Sequence, residues 1–165
     1  SISFAVTASA GLENFHAGPV IKDYGKIATI DTDKPLPKRL KLKVSFDGIE
    51  GAKPSEVNKK IDSLARFINM HAEAGMPLKR INAALVVHSA AAHDLTNNAW
   101  YSEHKDGAKN ANAPLVKALV DAGVKFYVCG QSAAYHDIDK ADLLPSTNKA
   151  TPVRPSILVA PLLLT

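Results

Sequence analysis

The sequence predicts an α/β domain built on a mainly parallel sheet. Short apolar segments suited to strands alternate along the chain with segments whose apolar residues recur at helical spacing. The strand segments at 81–88 and 124–129 are almost wholly apolar, which is typical of strands buried on both faces of a parallel sheet. A chain of 165 residues also has the size of one ordinary domain, so a second full core is not expected.

Three further segments have a strand or helix pattern. In 39–46, basic or polar residues alternate with apolar ones, which predicts a strand with one apolar face. Its basic stripe is interpreted as a solvated face rather than a binding patch. The segment 157–160 is the candidate for a last strand. The segment 113–123 predicts a helix that begins beside a proline and ends at a glycine.

The longest helix is predicted from Pro54 to about Gly75, because apolar residues follow the proline at helical spacing. Asn69, late in this helix, is interpreted as a surface or capping group. Three shorter segments are also predicted from the sequence. They are a weak helix at 89–98, a long polar surface loop at 100–112, and a short helix that begins at Ala133.

The proline-rich linker at 34–37 divides the chain into an N-terminal extension, 1–37, and a single α/β domain, 38–165. Residues 1–10 have the small and apolar residues of the end of a secretory signal peptide. This remnant predicts a periplasmic protein. The alternative is a flexible N-terminus on a cytoplasmic one.

Composition argues against several classes of protein. The net charge of +4 is mild and aromatic residues make up only 6%, so a nucleic-acid partner is not expected. No apolar run reaches the roughly 18 residues of a membrane span. The glycine-rich nucleotide-binding motifs and the G-x-S-x-G elbow of serine hydrolases are missing from the sequence.

The single cysteine, Cys129, is the leading candidate for chemistry. It ends a predicted inner strand and precedes a helix, whose first N–H groups stabilise a thiolate. The alternative is a cysteine that only packs in the core. His88 and His136 are the candidate acid–base partners. The candidate ligand-binding residues lie in the turns after the two strands: Ser89, Gly130, Gln131 and Ser132. The histidines match no zinc pattern, so no metal site is predicted.

Several motifs resemble the DsrE/DsrF-like family, which has a YchN-like fold. The resemblance covers about 41–145, and its most specific parts are Val128-Cys129-Gly130-Gln131-Ser132 and the preceding Ala122-Gly123-Val124. Further matching segments are Ile68-Asn69, Leu85-Val86-Val87-His88, Trp100-Tyr101 and Asp142-Leu143-Leu144-Pro145. The N-terminal arm, with Gly18-Pro19-Val20-Ile21, is similar to that of exported members.

The resemblance implies a three-layer sandwich with a central sheet of about five strands, assembled into homotrimers or homohexamers. Relay members of the family carry sulfur as a persulfide on a cysteine at the position of Cys129. Two features depart from the family. Ser89 stands where members often have glycine, and the tail after 151 has no pattern for a final helix.

The predicted function is therefore that of a sulfur-relay or sulfur-binding protein with persulfide sulfur on Cys129. As an enzyme it would be a sulfurtransferase-like carrier without a conventional catalytic cycle and without a cofactor. Its partners would be a sulfur donor or acceptor protein, or a small sulfur compound. The alternative is a non-catalytic oligomeric ligand-binding or accessory domain in which Cys129 is structural.

Overall fold

Four parallel strands form the central sheet of the protein in its computed structural model, which describes residues 11–37 and 39–150. They are β3 (Leu42–Gly48), β4 (Ile81–Val87), β5 (Lys125–Cys129) and β6 (Thr147–Ala150), and they lie side by side in that order. The N-terminal arm contributes a separate antiparallel pair, β1 (Phe15–His16) and β2 (Ile27–Ala28). The predicted strand at 157–160 lies outside the described residues, which contain four strands of the sheet instead of about five.

Helices flank this sheet. They are α1 (Lys59–Glu73), α2 (Asn98–His104), α3 (Ala113–Asp121) and α4 (Gly130–Tyr135). Helix α1 packs on β3, β4 and α3, whereas α4 packs on β5 and β6. The predicted α/β class with a parallel sheet is confirmed. No helix in the described ranges is long and apolar enough to cross a membrane.

Several boundaries differ from the sequence prediction, and polar caps explain two of them. Helix α1 begins at Lys59 instead of Pro54, because the Asn58 side chain accepts a hydrogen bond from the Lys60 N–H (2.8 Å). The predicted loop at 100–112 was wrong at its start, where the Asn97 side chain caps α2 by accepting from the Trp100 N–H (3.0 Å). The stretch 89–95 is a 3₁₀ helix, and the polar strand β6 was missed.

The two faces of the sheet are buried to different degrees. Register places Phe46, Leu85 and Phe126 side by side on one face, where α1 packs and Phe46 meets Phe67 edge to face (5.4 Å between centroids). Leu85 and Phe126 are fully buried. On the other face Val86 and Tyr127 are only half-buried. The apolar run of β4 predicted a strand buried on both faces. Within the described residues, only one of its faces is fully buried.

Asn69 holds the N-terminal arm on α1, and its interpretation as a surface or capping group was wrong. Its side chain is fully buried. Its Oδ1 accepts from the N–H groups of Val20 (3.2 Å) and Ile21 (2.8 Å), and its Nδ2 donates to the carbonyls of Ile21, Tyr24 and Gly25. The amide thus satisfies backbone groups of a segment that pairs with no strand of the main sheet.

Two glycines allow this close approach. A Cβ on Gly18 would overlap the Asn69 side chain, and one on Gly25 would overlap the backbone of α1 at Arg66. Gly25 also has φ +59°, a conformation that glycine adopts without the steric cost of a side chain. The Asp62 carboxylate accepts from the Gly25 N–H at 2.8 Å. The division of the chain into an N-terminal extension, 1–37, and one domain, 38–165, stays a prediction. The described part of the extension packs on α1.

We expect Asn69→Ala to lower the free energy of unfolding by about 2–4 kcal/mol, because several buried backbone groups lose their partner. Urea denaturation measures the change. Asn82→Ala is the matched control, since Asn82 is exposed on β4, and it should change stability by about 0.5 kcal/mol or less. Equal stabilities of the two variants would contradict the role given to Asn69.

Candidate functional site

Strand pairing brings His88 and Cys129 to the same edge of the sheet. Val87 pairs with Val128, so the residues that follow them, His88 and Cys129, leave the carboxyl ends of β4 and β5 side by side. The His88 N–H donates to the Gly48 carbonyl at 2.7 Å, which joins the end of β3 to the same place. This edge is where open parallel sheets place their ligand sites.

Four groups beside the Cys129 sulfur lower the pKa of its thiol. They are the N–H groups of Ser132 and Gln131 and the side chains of His88 and Ser132. Cys129 is the N-cap residue of α4, so the two backbone donors belong to the first turn of this helix. The Ser132 N–H contributes most to lowering the pKa of the thiol, and the partial burial of the sulfur opposes it. The arrangement favours a thiolate that is half-buried and hence reachable.

The predicted ligand-binding residues have distinct places around this sulfur. Gln131 and Ser132 lower the pKa of the Cys129 thiol, whereas Gly130 is the first residue of α4. Ser89 donates its N–H to the Ser132 hydroxyl at 2.9 Å and so connects the ends of β4 and β5. Its φ of +49° lies in the left-handed region. This strained backbone explains physically why glycine suits this position.

Asp47 belongs to the site and was missed by the sequence analysis. It lies near the carboxyl end of β3, and its Oδ1 is 3.0 Å from His88 Nε2. The sequence shows that Asp47 directly follows the first predicted strand, but the strand order that makes this strand the neighbour of β4 comes from the structure. The side chains of His88 and Asp47 are 40% and 63% exposed, so solvent reaches this contact.

His136 lies at the other end of α4 from Cys129. It is the C-cap residue of the helix, whereas Cys129 is the N-cap. Its ring meets that of His93 at a centroid distance of 4.3 Å, in an edge-to-face arrangement. The structure thus places His136 among other aromatic side chains, and its predicted role beside Cys129 stays a prediction.

The rings around His93 form a histidine cluster, which comprises His93, Trp100, His104 and His136. The ring centroids of Trp100 and His104 are 3.8 Å apart in a stacked pair, and those of His93 and Trp100 are 5.1 Å apart. Both ring nitrogens of His93 are buried and have no hydrogen-bond partner among the described residues. Burial, helped by Lys105 and the neighbouring histidines, lowers the pKa of His93 to about 4.

In the described part of the chain, no group of three or more histidine, cysteine, aspartate or glutamate side chains could hold a metal ion. The side chains that the structure brings together at the sheet edge are the Cys129 thiol and the His88–Asp47 pair.

Buried polar groups hold the loop that follows β3. The Asp94 carboxylate is 1% exposed and accepts from the Ala52 N–H (2.9 Å) and the Asn58 side chain (2.6 Å). Burial raises the pKa of Asp94, while these two hydrogen bonds oppose the rise. The Asn112 side chain accepts from the Asn58 N–H at 2.7 Å, which connects the start of α1 to the start of α3. These contacts fix the loop between β3 and α1 against the 3₁₀ helix that follows His88.

The chain belongs to the DsrE/DsrF-like family, whose model matches residues 46–160. Two solved structures are similar to it. A protein of unknown function from Methanobacterium thermoautotrophicum has a TM-score of 0.43 at 15% identity, over 65% of this chain and 80% of that one. The ychN protein from E. coli has a TM-score of 0.46 at 14% identity, over 66% of this chain and 85% of that one. No curated protein sequence matches the chain.

The histidine cluster predicts a loss of stability in mild acid. His93 has a pKa of about 4 in the fold against an ordinary value of 6.5. The unfolded chain therefore takes up a proton between these pH values that the folded chain does not. The resulting stability is present above pH 6.5 and is lost as the pH falls toward 4. Allowing for partial exposure, we expect a loss of about 1–2 kcal/mol.

His93→Phe keeps a ring of similar size and removes the titrating group. In this variant the free energy of unfolding should fall less steeply with pH than in wild type over the same range. Urea denaturation at several pH values measures the difference in slope. Identical slopes for the two proteins would show that His93 takes up its proton equally in the folded and unfolded states.

Proposed function

We propose that this protein is a sulfur carrier of the relay type and that Cys129 holds the transferred sulfur as a persulfide. The observation that carries the proposal is the place of the Cys129 sulfur at the start of α4 and beside His88, where Ser132, Gln131 and His88 lower the pKa of its thiol. These groups stabilise negative charge on sulfur, both in the free thiolate and in a persulfide anion. Membership in the DsrE/DsrF-like family supports the same chemistry.

Loading needs only a nucleophilic thiolate and a donor with a sulfane sulfur. The Cys129 thiolate attacks the terminal sulfur of a polysulfide or of a donor persulfide, and a new S–S bond forms. The S–S bond within the donor breaks, and its electron pair leaves on the remaining donor sulfur as a thiolate. The step is a sulfurtransferase-like exchange in which no external oxidant or reductant takes part.

We expect wild-type protein incubated with polysulfide to gain the mass of one or more sulfur atoms, because the lowered pKa of Cys129 increases its fraction of nucleophilic thiolate. Intact-mass measurement detects the adduct, which dithiothreitol should remove. Cys129→Ser should gain none.

Alkylation by iodoacetamide under native conditions provides an independent measurement. A carrier cysteine should react as fast as a free thiol or faster at neutral pH. Slow alkylation without an adduct would instead favour the alternative, an accessory or ligand-binding domain with a structural Cys129.

We also propose that the chain assembles into a homotrimer or homohexamer. Support comes from the face of the sheet that carries Val86 and Tyr127, which the described residues leave half-buried. Another subunit packed on this face would bury these two apolar side chains further. Light scattering should give three or six times the mass of one chain. A monomer at all micromolar concentrations would contradict the assembly.

The cellular compartment stays a prediction. The signal-like segment at 1–10 lies outside the described residues, and a periplasmic location, with the cytoplasm as the alternative, is proposed from its sequence alone. The donor and acceptor are proposed only by class, as a protein or small molecule that carries sulfane sulfur or a free thiol.

A further inference from the structure

The carboxylate of Asp47 has no role in the loading step described above, yet it contacts His88, which lies beside Cys129 at the end of the neighbouring strand. We propose that Asp47 is a positioning residue for sulfur transfer: it holds the His88 ring in place beside the Cys129 sulfur. This proposal rests on the proposed function and adds to it the residue that orients the imidazole.

Strand register places the three side chains on one face of the sheet. Asp47 pairs with Val86, and Val86 pairs with Tyr127. Because side chains of a strand alternate between faces, residues two further along point the same way. His88 follows Val86 by two positions in an extended conformation (φ −129°, ψ 165°), and Cys129 follows Tyr127 by two. The chain of contacts Asp47–His88–Cys129 is thus a consequence of the register of three neighbouring strands.

The Asp47 carboxylate determines which ring nitrogen of His88 carries a proton. A carboxylate accepts hydrogen bonds and donates none, so the 3.0 Å contact requires a proton on Nε2. The described residues place two titratable groups against the ring, Asp47 from β3 and Cys129 from β5. A ring that Asp47 holds in this way stays beside the Cys129 sulfur, where it stabilises negative charge on that sulfur.

The Asp47–His88 contact matters in the step in which sulfur passes from Cys129 to an acceptor. An acceptor thiolate attacks the outer sulfur of the Cys129 persulfide, and the new S–S bond forms on the acceptor. The S–S bond to Cys129 breaks, and its electron pair leaves on the Cys129 sulfur as a thiolate. The His88 N–H and the two backbone N–H groups stabilise that charge as it develops. Asp47 contributes by keeping the ring in place for this step.

Asp47→Asn tests the proposal because it removes the charge and keeps the size of an exposed side chain. In the variant, the rate of alkylation of Cys129 should reach its midpoint at a higher pH than in wild type. Discharge of preloaded persulfide to free cysteine at neutral pH should slow about tenfold, a part of the hundredfold or more that an acid–base group contributes. Intact-mass measurement over time follows the discharge.

Two comparisons separate positioning from a general effect of charge. Asp121→Asn removes an exposed carboxylate that pairs with Lys117 on α3, and it should leave both the midpoint and the rate unchanged. His88→Gln should slow discharge at least as much as Asp47→Asn, and the double variant should be no slower than His88→Gln. Additive losses, or an unchanged midpoint and rate in Asp47→Asn, would overturn the proposal.

The experiments distinguish a failure of the role proposed for Asp47 from a failure of the proposed carrier function. If wild-type protein takes up no sulfur, the carrier function fails. The alkylation profile still tests whether Asp47 acts on Cys129 through His88, since it needs no persulfide. If wild type takes up sulfur and Asp47→Asn behaves like wild type, the carrier function stands and the role of Asp47 is wrong.

Discussion

The parallel pairing of β4 with β3 and β5 is the constraint on which the rest of this structure depends. It joins Leu85 to Phe126 on the buried face and, by the same register, brings His88 beside Cys129 at the edge. A slip of one residue would turn the buried side chains of a strand outward. The hydrophobic core therefore positions the site. The register that buries Leu85 against Phe126 is the same register that places His88 beside Cys129.

Buried hydrogen bonds order the loops at this edge of the sheet, which the packing of apolar side chains does not hold. Asp94 and Asn58 tie the loop after β3 to the 3₁₀ helix after β4. The His88 N–H binds the Gly48 carbonyl, so the backbone that precedes this loop is held as well. Burying a carboxylate such as Asp94 is unfavourable unless its oxygens are hydrogen-bonded, and here the donors come from the loop that must be held. The same contacts thus satisfy the carboxylate and order the site.

The two ends of α4 provide opposite environments for titratable groups. At its N-terminus, unpaired N–H groups lower the pKa of Cys129 and favour the charged form. Near its C-terminus, burial and neighbouring cationic groups lower the pKa of His93 and favour the neutral form. With only six residues in α4, the effect on Cys129 comes from individual N–H donors of the first turn more than from a summed helix dipole. The surroundings of α4 therefore favour the charged form of Cys129 at its N-terminus and the neutral form of His93 near its C-terminus.

The sequence by itself determined the α/β class, the inner strands and the place of Cys129 between a strand and a helix, because these follow from local periodicity and from the order of segments. It also identified His88, which directly follows a strand. The tertiary structure alone decided that Asp47 contacts His88, that His136 lies away from Cys129 and that Asn69 is buried under the N-terminal arm. These contacts join residues far apart in sequence, and they depend on strand order, register and helix length. A pattern within one segment records its own periodicity and carries no information about which distant segment will lie beside it.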